Sequence, residues 1–250
     1  MSMNMDEYYD EMIAKLLSEY KRIDGTAQVE DKKWEFPFGS WEVSTVRGKV
    51  FEKATVARVR IQAIHPETGQ DTKFHALQSK VYPVSPRVPI LVFIVEHMVA
   101  GNDFFSGMMD VIPTVRIEED MKFMGDKMKT VAEKHGEDYE PLREKGYQIF
   151  NLPTWEKPIG AGVGIHNPTA KERVEMIKEE GRVWLDAYTQ VVEKRMNETY
   201  SDEDLKNMNS IRCRLHEWYY LGDKSLAAAN AMGVPMEAVN LMIAPPTMHY

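Results

Sequence analysis

An α+β fold with an antiparallel sheet is predicted by the order of periods along the chain. Apolar residues alternate, the period of a strand, through most of the stretch from Trp41 to Ile112, and helical spacing takes over afterwards. Strands and helices therefore do not alternate as a parallel βαβ fold requires. Turns such as Arg47-Gly48 are also too short to carry a crossover helix.

The elements follow in order. Tyr9, Met12, Ile13, Leu16, Leu17 and Tyr20 fall at helical spacing over residues 6–23, with acids at the start and Gly25 just past the end. Trp41, Val43 and Thr45 then alternate, and residues 50–53 pair back across the Arg47-Gly48 turn. Thr55–Ile64 reads as a strand stopped by H-P-E-T-G, and Phe74–Tyr82 as another, followed by the Pro-studded P-V-S-P-R-V-P. Ile90–Glu96 is apolar on both faces until Glu96, which places it inside the sheet.

The pivotal stretch is Asp103–Asp120, D-F-F-S-G-M-M-D-V-I-P-T-V-R-I-E-E-D. It sets Asp110 between Met108-Met109 and Val111-Ile112, ends its extended run at Pro113 and opens a helix at Glu118. Helices are predicted over residues 118–134, 139–147, 169–196 (with Gly181 as a weak point) and 201–220. Two shorter helical pieces are split by Gly233-Val234-Pro235. Phe150–Pro158 reads as loop. The run I-G-A-G-V-G-I at 159–165 lacks the Lys-Ser/Thr and the helix of a phosphate-binding loop, and fits a strand needing close backbone approach. With no repeat or linker, residues 1–250 read as one domain.

Composition narrows the classes. The apolar share of 43% and charged share of 28% are those of a globular protein. A net charge of −8 without a Lys/Arg cluster argues against a nucleic-acid partner. One cysteine excludes a disulfide framework, and the longest apolar run, Val88–Val95, is far too short to span a bilayer. The acidic N-terminus is unlike a signal peptide, so a cytoplasmic location is expected, with no membrane partner.

Several residues are candidates for chemistry. Asp110, a carboxylate among large apolar neighbours, is paired in a core, poised for proton chemistry or set at a strand end. His97 beside Glu96 offers a proton-transfer pair, although neighbours on a continuing strand point to opposite faces and leave a rim histidine. His75 reads as a surface or capping residue at a strand start. His216-Glu217 supplies two metal ligands with no third placed by spacing. Arg212 and Arg214 suit helix-surface ion pairing or anion binding. Met108, Met109, Met121, Met124 and Met128 fit a core or a pocket for a flat ligand, and Cys213 reads as a buried small hydrophobe.

Taken together, the motifs resemble the oxygen-dependent coproporphyrinogen oxidase family. Phe51–Ala54 is F-E-K-A after a hairpin turn, as in the family, and Phe105–Pro113 is similar to F-G-G-G-x-D-L-T-P. Glu118–Asp120, K-H-G-E-D-Y at Lys134–Tyr139, R-C-R-L-H-E-W at Arg212–Trp218 with Asp223-Lys224, and a Pro pair before the final Tyr follow in the family's order. The resemblance implies a large antiparallel sheet sandwiched between layers of helices, a homodimer, and Asp110 as the key acid.

The departures are systematic. The family strand P-T-x-H-A-N-x-R becomes Pro89–Glu96, putting Val92, Ile94 and Glu96 where His, Asn and Arg are usual. Ile159 replaces another family Arg, and V-N-x-S becomes Val56–Val59. A ring carrying propionates needs cationic and amide partners, so these changes imply a less anionic substrate. The expectation is an oxidoreductase acting on a tetrapyrrole or other conjugated heteroaromatic ring. Asp110 and His97 would be its catalytic residues. Substrate would meet Glu96, Val92, Ile94, Phe105, Met108, Met109, Ile159, Arg212 and Arg214. No bound metal or flavin is implied, with dioxygen or an external electron donor as the redox partner. Alternatives are a ferredoxin-dependent bilin-reductase-like enzyme and a non-catalytic haem- or bilin-binding protein.

Overall fold

The computed structural model describes residues 4–64, 69–169 and 173–248, apart from the side chains of Pro168, Thr169, Lys224 and Ala228. Its elements run α1 (Met5–Asp24), β1 (Gln28–Phe36), β2 (Gly39–Arg47), β3 (Phe51–Ile64), β4 (Asp71–Pro83), β5 (Ile90–Ala100) and β6 (Asn102–Ile112). Then follow α2 (Glu118–Lys134), α3 (Tyr139–Ile149), β7 (Ile165–Thr169), α4 (Val174–Arg195), α5 (Asp202–Leu221), α6 (Lys224–Ala231) and α7 (Met236–Ile243). The strands form one seven-stranded antiparallel meander in sequence order.

Alternation along each strand sends successive side chains to opposite faces, and each face buries its own core. Leu77, Leu91, Phe93, Val95 and Met109 meet α1, α2 and α4 on one face. Ala57, Val59, Ala76, Val92 and Met108 meet α5, α6 and α7 on the other. The expected sheet between helical layers is what the structure has.

Local chemistry fixes the ends of the elements. Asn4 and Glu7 form a reciprocal capping box at α1, and Ser201 and Asp204 do the same at α5. Asp24, at the end of α1, accepts the backbone N–H groups of Lys49, Val50 and Phe51 at 2.8–3.1 Å and so ties α1 to the β2–β3 turn. Asp120 at the start of α2 holds the Arg195 guanidinium through two bonds of 2.8 and 2.9 Å, locking α2 to the end of α4.

Four expectations change. β1 is a strand that the charged run Q-V-E-D-K-K-W-E-F conceals, because it is a largely exposed sheet edge with little apolar alternation. The helix expected from residue 169 begins at Val174, residues 165–169 pair with β6 instead, and residues 170–172 lie outside the described residues. His75 sits inside β4, half-buried against the Tyr9 ring at 4.4 Å, and not at a strand start. Cys213 is half-buried rather than buried, since it lies between the inner and outer surfaces of α5.

Glu180 of α4 is fully buried, close to Gly107 of β6, with the Asn167 side chain against its carboxylate. Burial lifts its pKa to about 8, against the opposing pull of Arg173. The folded state therefore holds a proton that the unfolded chain releases near pH 4.5, so stability falls as pH rises from there through about 8. Glu180→Gln should flatten that slope and raise stability at pH 8 by about 1–3 kcal/mol in urea unfolding. An unchanged pH profile would contradict the assignment of a buried neutral acid.

Candidate functional site

Asp110 lies on β6 directly opposite Val92 of β5, which lies opposite Lys80 of β4. It is 1% exposed. Its carboxylate accepts the backbone N–H groups of Gly162 at 3.0 Å, Val163 at 3.3 Å and Gly164 at 3.1 Å. The I-G-A-G-V-G-I run is thus a loop folded over a carboxylate, with strand geometry only from Ile165 onward, and not the strand expected. The expected close approach is real. A Cβ on Gly164 would lie 1.7 Å from the Met109 carbonyl oxygen, and one on Gly160 would lie 2.7 Å from Asp110 Oδ2. Burial raises the Asp110 pKa above the usual carboxylate range, and the amide donors pull it back.

The register gathers several of the predicted site residues on the α5–α7 face. Val92 and Ile94 stand beside Asp110 and Met108, and Glu96 lies across from Ser106. Ala57 and Val59 join the same core, as does Ile159 from the loop. The remaining predicted residues go elsewhere. His97 lies on the opposite face at the rim, stacked on Phe105 at 4.3 Å and within 3.1 Å of Asp103. Phe105 and Met109 belong to the α1–α4 core. Adjacent strand residues diverge, so Glu96 and His97 do not meet.

The arginines of α5 are spent on structure. Arg212 is 1% exposed, 2.8 Å from Glu52 and bonded to the carbonyl oxygens of Pro83 and Thr247. Arg214 stacks on Trp155 at 4.3 Å and bonds the Lys157 carbonyl. Among the described residues no three His, Cys, Asp or Glu side chains are gathered for a metal. His216 packs edge-on to Tyr220 at 5.0 Å.

The same face carries a cavity of about 280 Å³, walled by apolar residues including Trp41, Val59, Ile61, Phe74 and Met242. Gln78 of β4 and Asp223, which precedes α6, give its wall polar groups. Next to Gln78 on this face comes Lys80, 1% exposed, and Glu96 lies on the adjacent strand. Burial drives Lys80 down to about 8, opposed by Asp223 and Glu96. Burial lifts Glu96 to about 7, reinforced by Asp223 and opposed by Lys80. Asp223 is also raised by burial, with Lys80 opposing. Burial thus draws Lys80 and Glu96 toward neutral pH from opposite sides, the tuning that proton transfer requires. Sequence reasoning missed Gln78 and Lys80, although two polar residues inside the apolar strand Phe74–Tyr82 were a visible signal.

A second, open groove of about 840 Å³ lies at the sheet rim and is lined by Asp6, Arg60, Lys73, His75 and His97. His75 is bonded by Arg58 Nε at 2.9 Å, and burial holds its imidazole down at about 4, so it is neutral there. No described helix is long and apolar enough to cross a membrane.

Comparison with known proteins agrees with the geometry. The family profile described as Coproporphyrinogen III oxidase matches residues 4–250. An oxygen-dependent coproporphyrinogen-III oxidase of Coxiella burnetii is 24% identical over 96% of this chain and 84% of its own length. One from Francisella philomiragia is 27% identical over 62% of this chain and 58% of its own. The mitochondrial enzyme of Rattus norvegicus is 22% identical over 82% and 53% respectively. With the profile covering almost every residue, the chain belongs to the coproporphyrinogen III oxidase family.

Proposed function

We propose that this chain is an oxidoreductase acting on a conjugated heteroaromatic ring less anionic than coproporphyrinogen. The ring would seat on the α5–α7 face, with Asp110 as the key acid and dioxygen as the oxidant. One observation carries the reading. The positions at which the family resemblance implies ring-binding polar groups share this face, and here they hold Ala57, Val59, Val92, Ile94 and Ile159. Glu96, on the same face, repels a carboxylate once it ionises above about pH 7.

Size refines the substrate class. A cavity of about 280 Å³ on this face is near the lower limit of small-molecule sites, with room for one or two rings, either part of a tetrapyrrole or a smaller heteroaromatic substrate. Asp110 is fixed in place by its amide bonds, and burial raises its pKa, so it fits the role of the acid that exchanges a proton with a pyrrole-like ring.

A carboxylate-free dipyrrylmethane tests the reading beside coproporphyrinogen. Dioxygen should oxidise it to the coloured dipyrrin, with hydrogen peroxide formed, at a rate well above the protein-free control. Coproporphyrinogen should turn over at least tenfold more slowly. The reverse order would refute the less anionic substrate. Turnover that demands reduced ferredoxin, or haem or biliverdin binding without turnover, would replace this reading. Glu96→Arg should tighten binding of a propionate-bearing pyrrole about tenfold, and an unchanged Kd would remove Glu96 from the ring site. Asp110→Asn should keep the fold, lose about 1–3 kcal/mol of stability by pointing an amide N–H at backbone donors, and abolish dipyrrin formation. Full activity in that variant would remove Asp110 from the chemistry.

A further inference from the structure

Two lysines are buried on the α5–α7 face, and they are satisfied differently. Lys53, 2% exposed, donates to the carbonyl oxygens of Leu241 and Ala244 at the end of α7. Lys80, 1% exposed, has no hydrogen-bond partner for its Nζ among the described residues. A buried ammonium has three donors to satisfy, and an unmet donor is expensive in an apolar interior. Its compensating charges, Asp223 and Glu96, act on it electrostatically without direct contact. Asp223 already spends Oδ1 on the N–H groups of Ser225 and Leu226, capping α6.

At its polar end, Asp223 and Gln78 reach the wall of the cavity, and Lys80 lies behind it, two residues along β4 from Gln78. The end therefore sets a carboxylate and an amide on the wall, with an unpartnered ammonium in electrostatic range behind them, and apart from Thr72 and Ser225 the rest of the wall is apolar. A ligand that fits all three features is a flat ring whose edge carries C=O beside N–H. The carbonyl would meet the amide with the ammonium behind it, the N–H would meet the carboxylate, and the ring would fill the apolar part.

We propose that Lys80, Gln78 and Asp223 form a recognition end for the C=O/N–H edge of a lactam-like heterocycle. The proposal deepens the ring-binding reading above and rests on it. Position matters to the argument: Val92 separates Lys80 from Asp110 by two strand spacings, roughly 10 Å, so this end is distinct from the Asp110 loop. The depressed Lys80 pKa fits an ammonium lacking a fixed counter-ion in contact.

The test titrates the full chain with 2-quinolone, a bicyclic lactam, and with naphthalene, its apolar counterpart. Heteronuclear NMR or ligand fluorescence follows binding. The wild type should bind 2-quinolone at least tenfold more tightly than naphthalene. Lys80→Met should erase that preference while leaving naphthalene affinity within about twofold. Gln78→Leu is the second variant, should the first fail to fold, and should reduce the preference at least threefold. Equal wild-type affinities, as expected of an ammonium served by trapped water alone, would overturn the recognition end and leave the apolar ring site standing. Binding of neither probe would overturn the ring-binding reading as well.

Discussion

The Asp110 carboxylate and the backbone N–H groups of Gly162, Val163 and Gly164 make the interaction on which this architecture turns. It closes the long excursion from β6 through α2 and α3, returning the chain to pair as β7 beside the strand it left. A buried carboxylate is tolerable only if donors meet it, and a loop of small residues can bring several amides to one point. Gly160 and Gly164 let the backbone come close enough, and Gly162 turns it through a positive φ of 66°. The same device recurs where Asp24 gathers three amides of the β2–β3 turn. In both places one acidic side chain replaces a hydrogen-bond ladder as the organiser of a loop.

Much of this fold was readable because burial imposes periodicity. Residues of α1 and the inner strands repeat at the spacing of the face they cover, and their types and limits follow. β1 was illegible for the complementary reason: an edge strand has little apolar surface to hide, so charges mask its alternation. The Gly-rich run was misread as strand since its sequence announces close approach but not what it approaches. That partner, Asp110, lies about fifty residues away in sequence, beyond any local pattern.

The site was legible in part. Alternation alone separates Val92, Ile94 and Glu96 from His97, and the register bears out that separation. It could not reveal that Arg212 is consumed by Glu52 and two carbonyl groups, because those partners arrive from remote strands and the C-terminal segment. Lys80 and Asp223 were equally hidden as a group, since only the folding of α6 onto β4 brings them into electrostatic range. The charge pattern of this face is an inversion as well as a loss. An acid stands at Glu96 and a lysine at Lys80, on adjacent strands with the Gln78–Ile94 pair between them.

The meander also shapes how the chain can assemble. Every strand pairs with its sequence neighbour, so hairpins through β6 can form as soon as each is synthesised. Their covers arrive unevenly: α1 precedes the sheet, whereas α4 to α7 occupy the last third of the chain. Until those helices emerge, a nascent sheet would present broad greasy surfaces on both sides, most completely on the side that α5 to α7 will close. Such a partly made protein is the species at greatest hazard of clumping, and the one a ribosome-associated chaperone would be expected to shield.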